Sequence, residues 1–215
     1  MNEYYELIEK ILTHFTSSKF TDELILAKKE FFDNFEKLEE QSEMFEARMN
    51  QFYDWYFFTR PLSQYRQTPV EVCHLERELR FTDEEKSTIE ILKLNRHSLF
   101  QFIKIKENDI HLKDLISDKK IIVKSSPWVY GFDEDEIFDA RLIPMGKDFI
   151  FARGFCFHPE EAKKFIFAEV KKIRKDPDLN PEDLILRLVR MKFKFERYKF
   201  VNPELIYSNE NRVGV

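Results

Sequence analysis

The sequence predicts an α+β protein: an N-terminal helical bundle, a small antiparallel five-strand β-domain and C-terminal helices. Three observations point there. Apolar residues recur every three or four positions through most of residues 1–96. Between 97 and 158 the period switches to near-alternation, in five short runs at a spacing of roughly ten residues. Helix-start signals and helical spacing then return after His158.

Residues 2–16 place Tyr5, Ile8, Leu12 and Phe15 at helical spacing. From about 22 to 58, Leu24, Ala27, Phe31, Phe35 and Leu38 repeat in the same way, and Met44, Phe45, Met49, Phe52, Trp55 and Tyr56 resume after the polar stretch EKLEEQSE. Without Pro or Gly, this span reads as one long helix or two nearly continuous ones. Pro61 ends it, because its ring removes an amide donor and clashes with the preceding turn. Thr68-Pro69-Val70-Glu71 is a capping box with proline at the first helical position, opening a helix to about Arg80. Thr82-Asp83-Glu84-Glu85 is a second box, leading through Ile89 and Leu92.

The strand candidates are Ser98–Lys106, Asp109–Ile116, Lys119–Ser125, Asp139–Met145 and Asp148–Phe157, separated by turn-like breaks such as Asn108-Asp109 and Met145-Gly146-Lys147-Asp148. Five short strands suit an SH3-like or OB-like barrel or a meander. His158-Pro159-Glu160-Glu161 starts another helix with Ala162, Phe165, Ile166, Val170 and Ile173 on its apolar side. A stiff Asp176–Pro181 linker follows, and Asn180 caps a helix carrying Leu184, Leu188, Met191 and Phe195. Its last stretch, MKFKFERYKF, alternates and also reads as a final strand. The organisation expected is helical from 1 to 96, a β-domain from 97 to 158, packed C-terminal helices from 159 to 208 and a frayed end from 209 to 215.

Composition narrows the function classes. The 215 residues hold 23 phenylalanines but only 4 glycines, too few to favour a phosphate-cradling loop. Net charge is −5. Residues 1–158 hold 22 basic and 30 acidic side chains, and residues 159–215 hold 13 and 10, an acidic front and a mildly basic tail. The opening MNEYYELIEK is acidic and amphipathic, unlike a signal peptide, and no apolar run approaches membrane-span length. Cys73 and Cys156 are scattered and without a CxxC partner, as expected of buried thiols in a reducing compartment. A cytoplasmic protein is the expectation.

One pattern has a family look. Phe52-x-x-Trp55-Tyr56-Phe57-Phe58-x-Arg60 is followed by Thr68-Pro69-Val70-Glu71, Ser98-Leu99-Phe100, Lys113-Asp114-Leu115 and Ala140-Arg141-Leu142-Ile143-Pro144. Over about residues 45–158 this order resembles an uncharacterised bacterial family, some of whose members carry a C-terminal SEC-C metal-binding segment. The cysteine-rich segment itself is absent from this sequence, so no zinc role carries over. The resemblance implies a helical region joined to a β-domain and no activity.

Residue patterns for chemistry are sparse. His14, His74, His97, His111 and His158 are scattered, and adjacent Cys73-His74 would diverge on a helix. The acidic run Asp133–Glu136 with Asp139 lacks the glycine and terminal glutamate of a calcium loop. Neither cysteine has a patterned base, and there is no GxSxG, Walker loop or GxGxxG. No metal, cofactor or catalytic residue is expected.

The conspicuous feature is aromatic: Phe52, Tyr53, Trp55, Tyr56, Phe57 and Phe58 cannot share one helix face. They divide between core and a second surface, and Trp55, Tyr56, Arg60 and Trp128 are the candidate contacts for another protein. Lys192, Lys194 and Arg197, interleaved with aromatics, are candidates for an anionic partner. The function expected is a non-catalytic protein-binding or adaptor module, with a nucleic-acid-associated protein as the alternative. The acidic pI of about 5.7 weighs against the latter.

Overall fold

The helix-start signals at Thr68, Thr82 and Asn180 mark where helices begin in the computed structural model of the chain, which describes residues 2–32, 44–124, 132–198 and 200–210. Helices α1 (Asn2–Phe15), α2 (Thr21–Phe32) and α3 (Phe45–Phe58) come first, then the short α4 (Pro69–Val72) and α5 (Asp83–Lys93). Strands β1 (Arg96–Lys106), β2 (Asp109–Asp114), β3 (Lys119–Val123), β4 (Ile137–Met145) and β5 (Asp148–Phe157) follow. Helices α6 (Lys163–Lys175), α7 (Pro181–Arg197) and α8 (Pro203–Ile206) come last. The α+β expectation holds, with helices flanking the strands on both sides in the chain.

Both capping boxes form. The Thr82 hydroxyl accepts from the Glu85 amide at 3.2 Å, and the Glu85 carboxylate accepts from the Thr82 amide at 2.7 Å. Glu71 returns to the Thr68 amide in the same way at 2.7 Å. Asn180 accepts from the Glu182 amide at 3.0 Å, with Pro181 at the first helical position. The alternating MKFKFERYKF segment is helical as far as Arg197, because Phe193 joins Leu184, Ile185, Leu188 and Val189 on a buried face at helical spacing.

Three expectations change. The helix opened by Thr68 ends at Val72 and continues only as a 3₁₀ turn, Cys73–Leu75. Glu76 then turns extended and becomes buried, its carboxylate meeting Lys19 at 2.5 Å, His14 at 2.8 Å and the Tyr65 hydroxyl. On α1 the buried face is Leu7, Ile11 and Phe15, while Tyr5, Ile8 and Leu12 sit half-buried beside it. Pro159 precedes a 3₁₀ turn, Glu160–Ala162, rather than opening the α-helix. The continuity of α2 with α3 rests on residues 33–43, which lie outside the described residues, as do Phe35 and Leu38.

The strands close into a five-strand barrel in the order β1-β2-β3-β5-β4, so of barrel and meander it is the barrel that forms. β1 pairs antiparallel with β2, with a register shift between Phe102 and Lys104, and β2 pairs antiparallel with β3. The β4–β5 turn passes through Gly146 at φ +65°, a left-handed conformation that glycine adopts without strain.

The chain forms two compact units, Met1–Arg96 with Arg141–Gly154, and His97–Ala140 with Phe155–Val215. Each has an aromatic core, which accounts for the phenylalanine excess. In the first, Phe15, Phe31, Phe52, Tyr56 and Phe57 are fully buried, and the Tyr56 hydroxyl donates to the Phe15 carbonyl at 2.9 Å. In the second, Phe138 lies 5.9 Å from Phe100, 5.1 Å from Phe132 and 5.3 Å from Phe157.

Two buried cationic side chains organise the first unit. Arg60, 5% exposed, pairs with Glu23 and Glu30 of α2. Arg141 donates to Asn95 and, at 2.6 Å, to the Thr59 hydroxyl, and lies over the Phe58 ring. Gly154 allows a close backbone approach: a Cβ there would stand 2.9 Å from Asp54 Oδ2 and 3.0 Å from Gln51 Cα. Its amide donates to Asp54 at 2.6 Å.

Gly154→Ala is therefore expected to lower stability by about 1–3 kcal/mol, read from urea unfolding, since the helix backbone behind it must move. A second expectation concerns Glu76. Burial by itself would raise its carboxyl, but hydrogen bonds from Lys19, Tyr65 and His14 outweigh burial and hold it at about 2, against the usual 4.5. A carboxyl depressed by folding stabilises above its unfolded value and loses that contribution as pH falls through its folded value. The stability difference between wild type and Glu76→Gln should be full above pH 4.5 and close between pH 4.5 and 2.

Candidate functional site

The aromatic and basic candidates read from the sequence separate into two groups. Trp55, Tyr56 and Arg60 stand together at the end of α3 in the first unit. Trp55 is half-buried with its ring 5.2 Å from Phe31, Tyr56 is wholly buried, and Arg60 is held by its two carboxylates. Lys192, Lys194 and Arg197 lie on the last turns of α7 in the second unit. Lys192 is 3.4 Å from Glu196 and over the Phe195 ring, Lys194 is half-buried, and exposed Arg197 stacks on Tyr198. Trp128 lies outside the described residues.

What the sequence reading left scattered comes together in the second unit. Strand β5 buries Gly154 and Cys156 and leaves Phe155 and Phe157 half-buried, so Cys156 and His158, two residues apart, share the enclosed face. The His158 amide donates to the Ile137 carbonyl at 2.9 Å, extending the ladder to β4 and placing His158 beside Asp139. His158 Nε2 stands 3.3 Å from Asp139 Oδ2. The other Asp139 oxygen is 3.5 Å from His97 Nε2, and His97 Nδ1 is 2.8 Å from Glu182 at the start of α7. His158 Nδ1 is 3.1 Å from the Tyr207 hydroxyl, just beyond α8. The ligating atoms of Asp139, Cys156 and His158 all lie within 4.8 Å of one another.

Electrostatics in this cluster follow from burial. Asp139 is 3% exposed, and burial opposes its charge, yet the imidazoles of His158 and His97 overcome that and hold its carboxyl below the usual value. Burial, and next the Asp139 charge, push the Cys156 thiol well up. By itself Cys156 is therefore a poor nucleophile. The cluster is a His–Asp–His chain with a thiol beside it, not a thiolate triad. Both cysteines are free, and burial likewise pushes Cys73 up to about 11.

A second concavity, of about 220 Å³, opens in the first unit between α1, α3 and β5. Half-buried Ile8 and Leu12 of α1 line it together with Tyr5, Tyr53 and the polar Thr13, Thr16 and Asn50. Its charged groups are engaged: Glu9 pairs with Arg153 at 3.0 Å, and Asp54 accepts from Gly154. The Tyr5 hydroxyl donates to the Phe151 carbonyl at 2.7 Å. A shallower cleft of about 360 Å³ between α6 and α7 is lined by Glu169, Lys172 and Arg187, themselves ion-paired.

The family model for a family of unknown function, DUF7986, matches residues 2–191, nearly the whole chain. The chain belongs to DUF7986. No curated protein and no solved structure matches it. The match takes in residues 45–158, and no link to SEC-C-associated proteins is shown. Among the described residues of this DUF7986 chain, no helix is long and apolar enough to cross a membrane.

Tyr207 closes the far end of the His–Asp–His chain, so Tyr207→Phe should cost about 1–2 kcal/mol of stability in denaturant unfolding, the penalty for an unmade buried hydrogen bond.

Proposed function

We propose that this DUF7986 chain is a non-catalytic protein-binding module, and that the cleft between α1, α3 and β5 receives an apolar side chain from a short segment of another protein. The carrying observation is the composition of that cleft. Half-buried Ile8 and Leu12 supply apolar surface in a lining that also holds Thr13, Thr16 and Asn50, while both carboxylates that line it are tied to protein partners, leaving a surface suited to binding rather than proton transfer. At about 220 Å³ it is smaller than the roughly 300–1,000 Å³ of small-molecule sites and fits an anchor residue instead.

Charge selects the partner's chemistry. Glu3 and Glu6 are exposed along the same helix as Ile8 and Leu12. A segment pairing an aliphatic or aromatic anchor with Lys or Arg complements that surface. Two free, buried thiols support a reducing compartment, in keeping with the cytoplasm.

The test is a displayed random-peptide library selected against wild type and against Ile8→Asp, with circular dichroism confirming that both fold. Peptides carrying a basic residue next to an apolar anchor should be enriched on wild type and lose at least tenfold in affinity on the variant. No enrichment, or peptides that bind both proteins equally, would sink the reading. So would salt-sensitive binding of single-stranded oligonucleotides that the variant leaves intact, which would move the function to nucleic acid.

A further inference from the structure

The Asp139–Cys156–His158 cluster encloses a carboxylate, an imidazole and a thiol whose ligating atoms converge. Asp139 Oδ2 and His158 Nε2 are enclosed and pair at 3.3 Å, without the geometry of a completed hydrogen bond. Asp139, Cys156 and His158 are 3%, 1% and 5% exposed, so water does not relieve them from the surface. A buried pair whose facing atoms meet at ion-pair distance without completing a hydrogen bond is costly, and native proteins rarely tolerate such atoms without a ligand or a functional reason.

Geometry and donor type agree on what would satisfy them. In a tetrahedral site with bonds of about 2.0–2.1 Å, neighbouring nitrogen and oxygen ligands stand about 3.3–3.4 Å apart. The Asp139–His158 separation is 3.3 Å, and the cysteine sulfur, whose bond to such an ion is longer, lies within 4.8 Å of both. Carboxylate, imidazole and thiolate together suit a borderline-soft divalent ion and disfavour calcium or magnesium. Two anionic ligands also balance a dication, leaving the buried site without net charge.

The surrounding shell has the matching form. His158 presents Nε2 to the cluster while Nδ1 meets the Tyr207 hydroxyl at 3.1 Å, an arrangement that sets the ring's tautomer and orientation. Asp139 presents Oδ2 while its other oxygen faces His97 at 3.5 Å, and His97 is in turn held by Glu182 at 2.8 Å.

We propose that Asp139, Cys156 and His158 bind a divalent transition-metal ion of the zinc type, with Tyr207 and His97 as the outer groups that position the imidazole and the carboxylate. The site ties the end of β5 to β4 and is independent of the cleft in the other unit.

The test is titration of the chelator-treated full chain with Co²⁺, followed by competition with Zn²⁺. Wild type is expected to take up one equivalent, with the visible bands of a tetrahedral ion and the near-ultraviolet charge-transfer band of a cobalt–thiolate bond, both displaced by zinc. Cys156→Ser should lose the charge-transfer band, Asp139→Asn should weaken binding at least tenfold, and Cys73→Ser should behave as wild type. Because a core variant can fail to fold, X-ray absorption at the zinc edge of loaded wild type supplies a reading free of mutagenesis: one sulfur among nitrogen and oxygen ligands. Substoichiometric binding, a zinc shell without sulfur, or a charge-transfer band that follows Cys73 instead of Cys156 would overturn the assignment.

Discussion

Strand β4 sets the terms for much of this structure. Its first seven residues, Ile137 to Ile143, are all buried, yet two of them are Asp139 and Arg141. A strand with no solvent face cannot leave a charge to water, so each must be met by groups brought from elsewhere in the chain. Arg141 is met in the first unit by Asn95, Thr59 and the face of Phe58. Asp139 is met in the second by His158 and His97. The end of α5, the end of α3, the first residues of β1 and the residue after β5 thus all have positions constrained by charges on one strand.

Much of the architecture was legible because local signals and tertiary burial agree. Thr82 with Glu85 and Asn180 with Pro181 start helices by satisfying amides within a few residues, so nothing distant is needed to read them. Strand alternation was equally visible, since Phe100 and Phe102 lie on the buried side of β1. Reading failed where a distant partner decided. The helix opened by Thr68 stops early where Glu76 enters a pocket shared with Lys19 and His14, more than fifty residues away in sequence. The buried side of α1 was displaced because its apolar residues cover two adjacent faces, and only packing selects Leu7 and Ile11 over Ile8 and Leu12.

The Asp139–Cys156–His158 cluster was illegible for a different reason. Metal and catalytic motifs are usually sought at helical or knuckle spacings, whereas Cys156 and His158 stand two apart at the end of a strand. That spacing points both side chains to one face. A cysteine and a histidine separated by one residue in an alternating stretch was a signal the sequence contained. Asp139, on the neighbouring strand, becomes visible only with the β4–β5 pairing. The engaged state of the cleft's carboxylates has no sequence signature at all, because the partner of Glu9 is 144 residues away.

The boundary between the two units also bears on how the chain is made. The first unit contains the N-terminal helices together with Arg141–Gly154. Tyr5 bonds to Phe151, Glu9 to Arg153 and Asp54 to Gly154, all across 100 residues or more. On a ribosome emitting residues in order, α1 and α3 emerge long before the strand segment against which they pack. The contacts of these helices with that segment therefore wait until translation passes Gly154, and by then His97–Ala140 of the other unit has also been synthesised. The first unit is therefore completed only by a segment that emerges after part of the second.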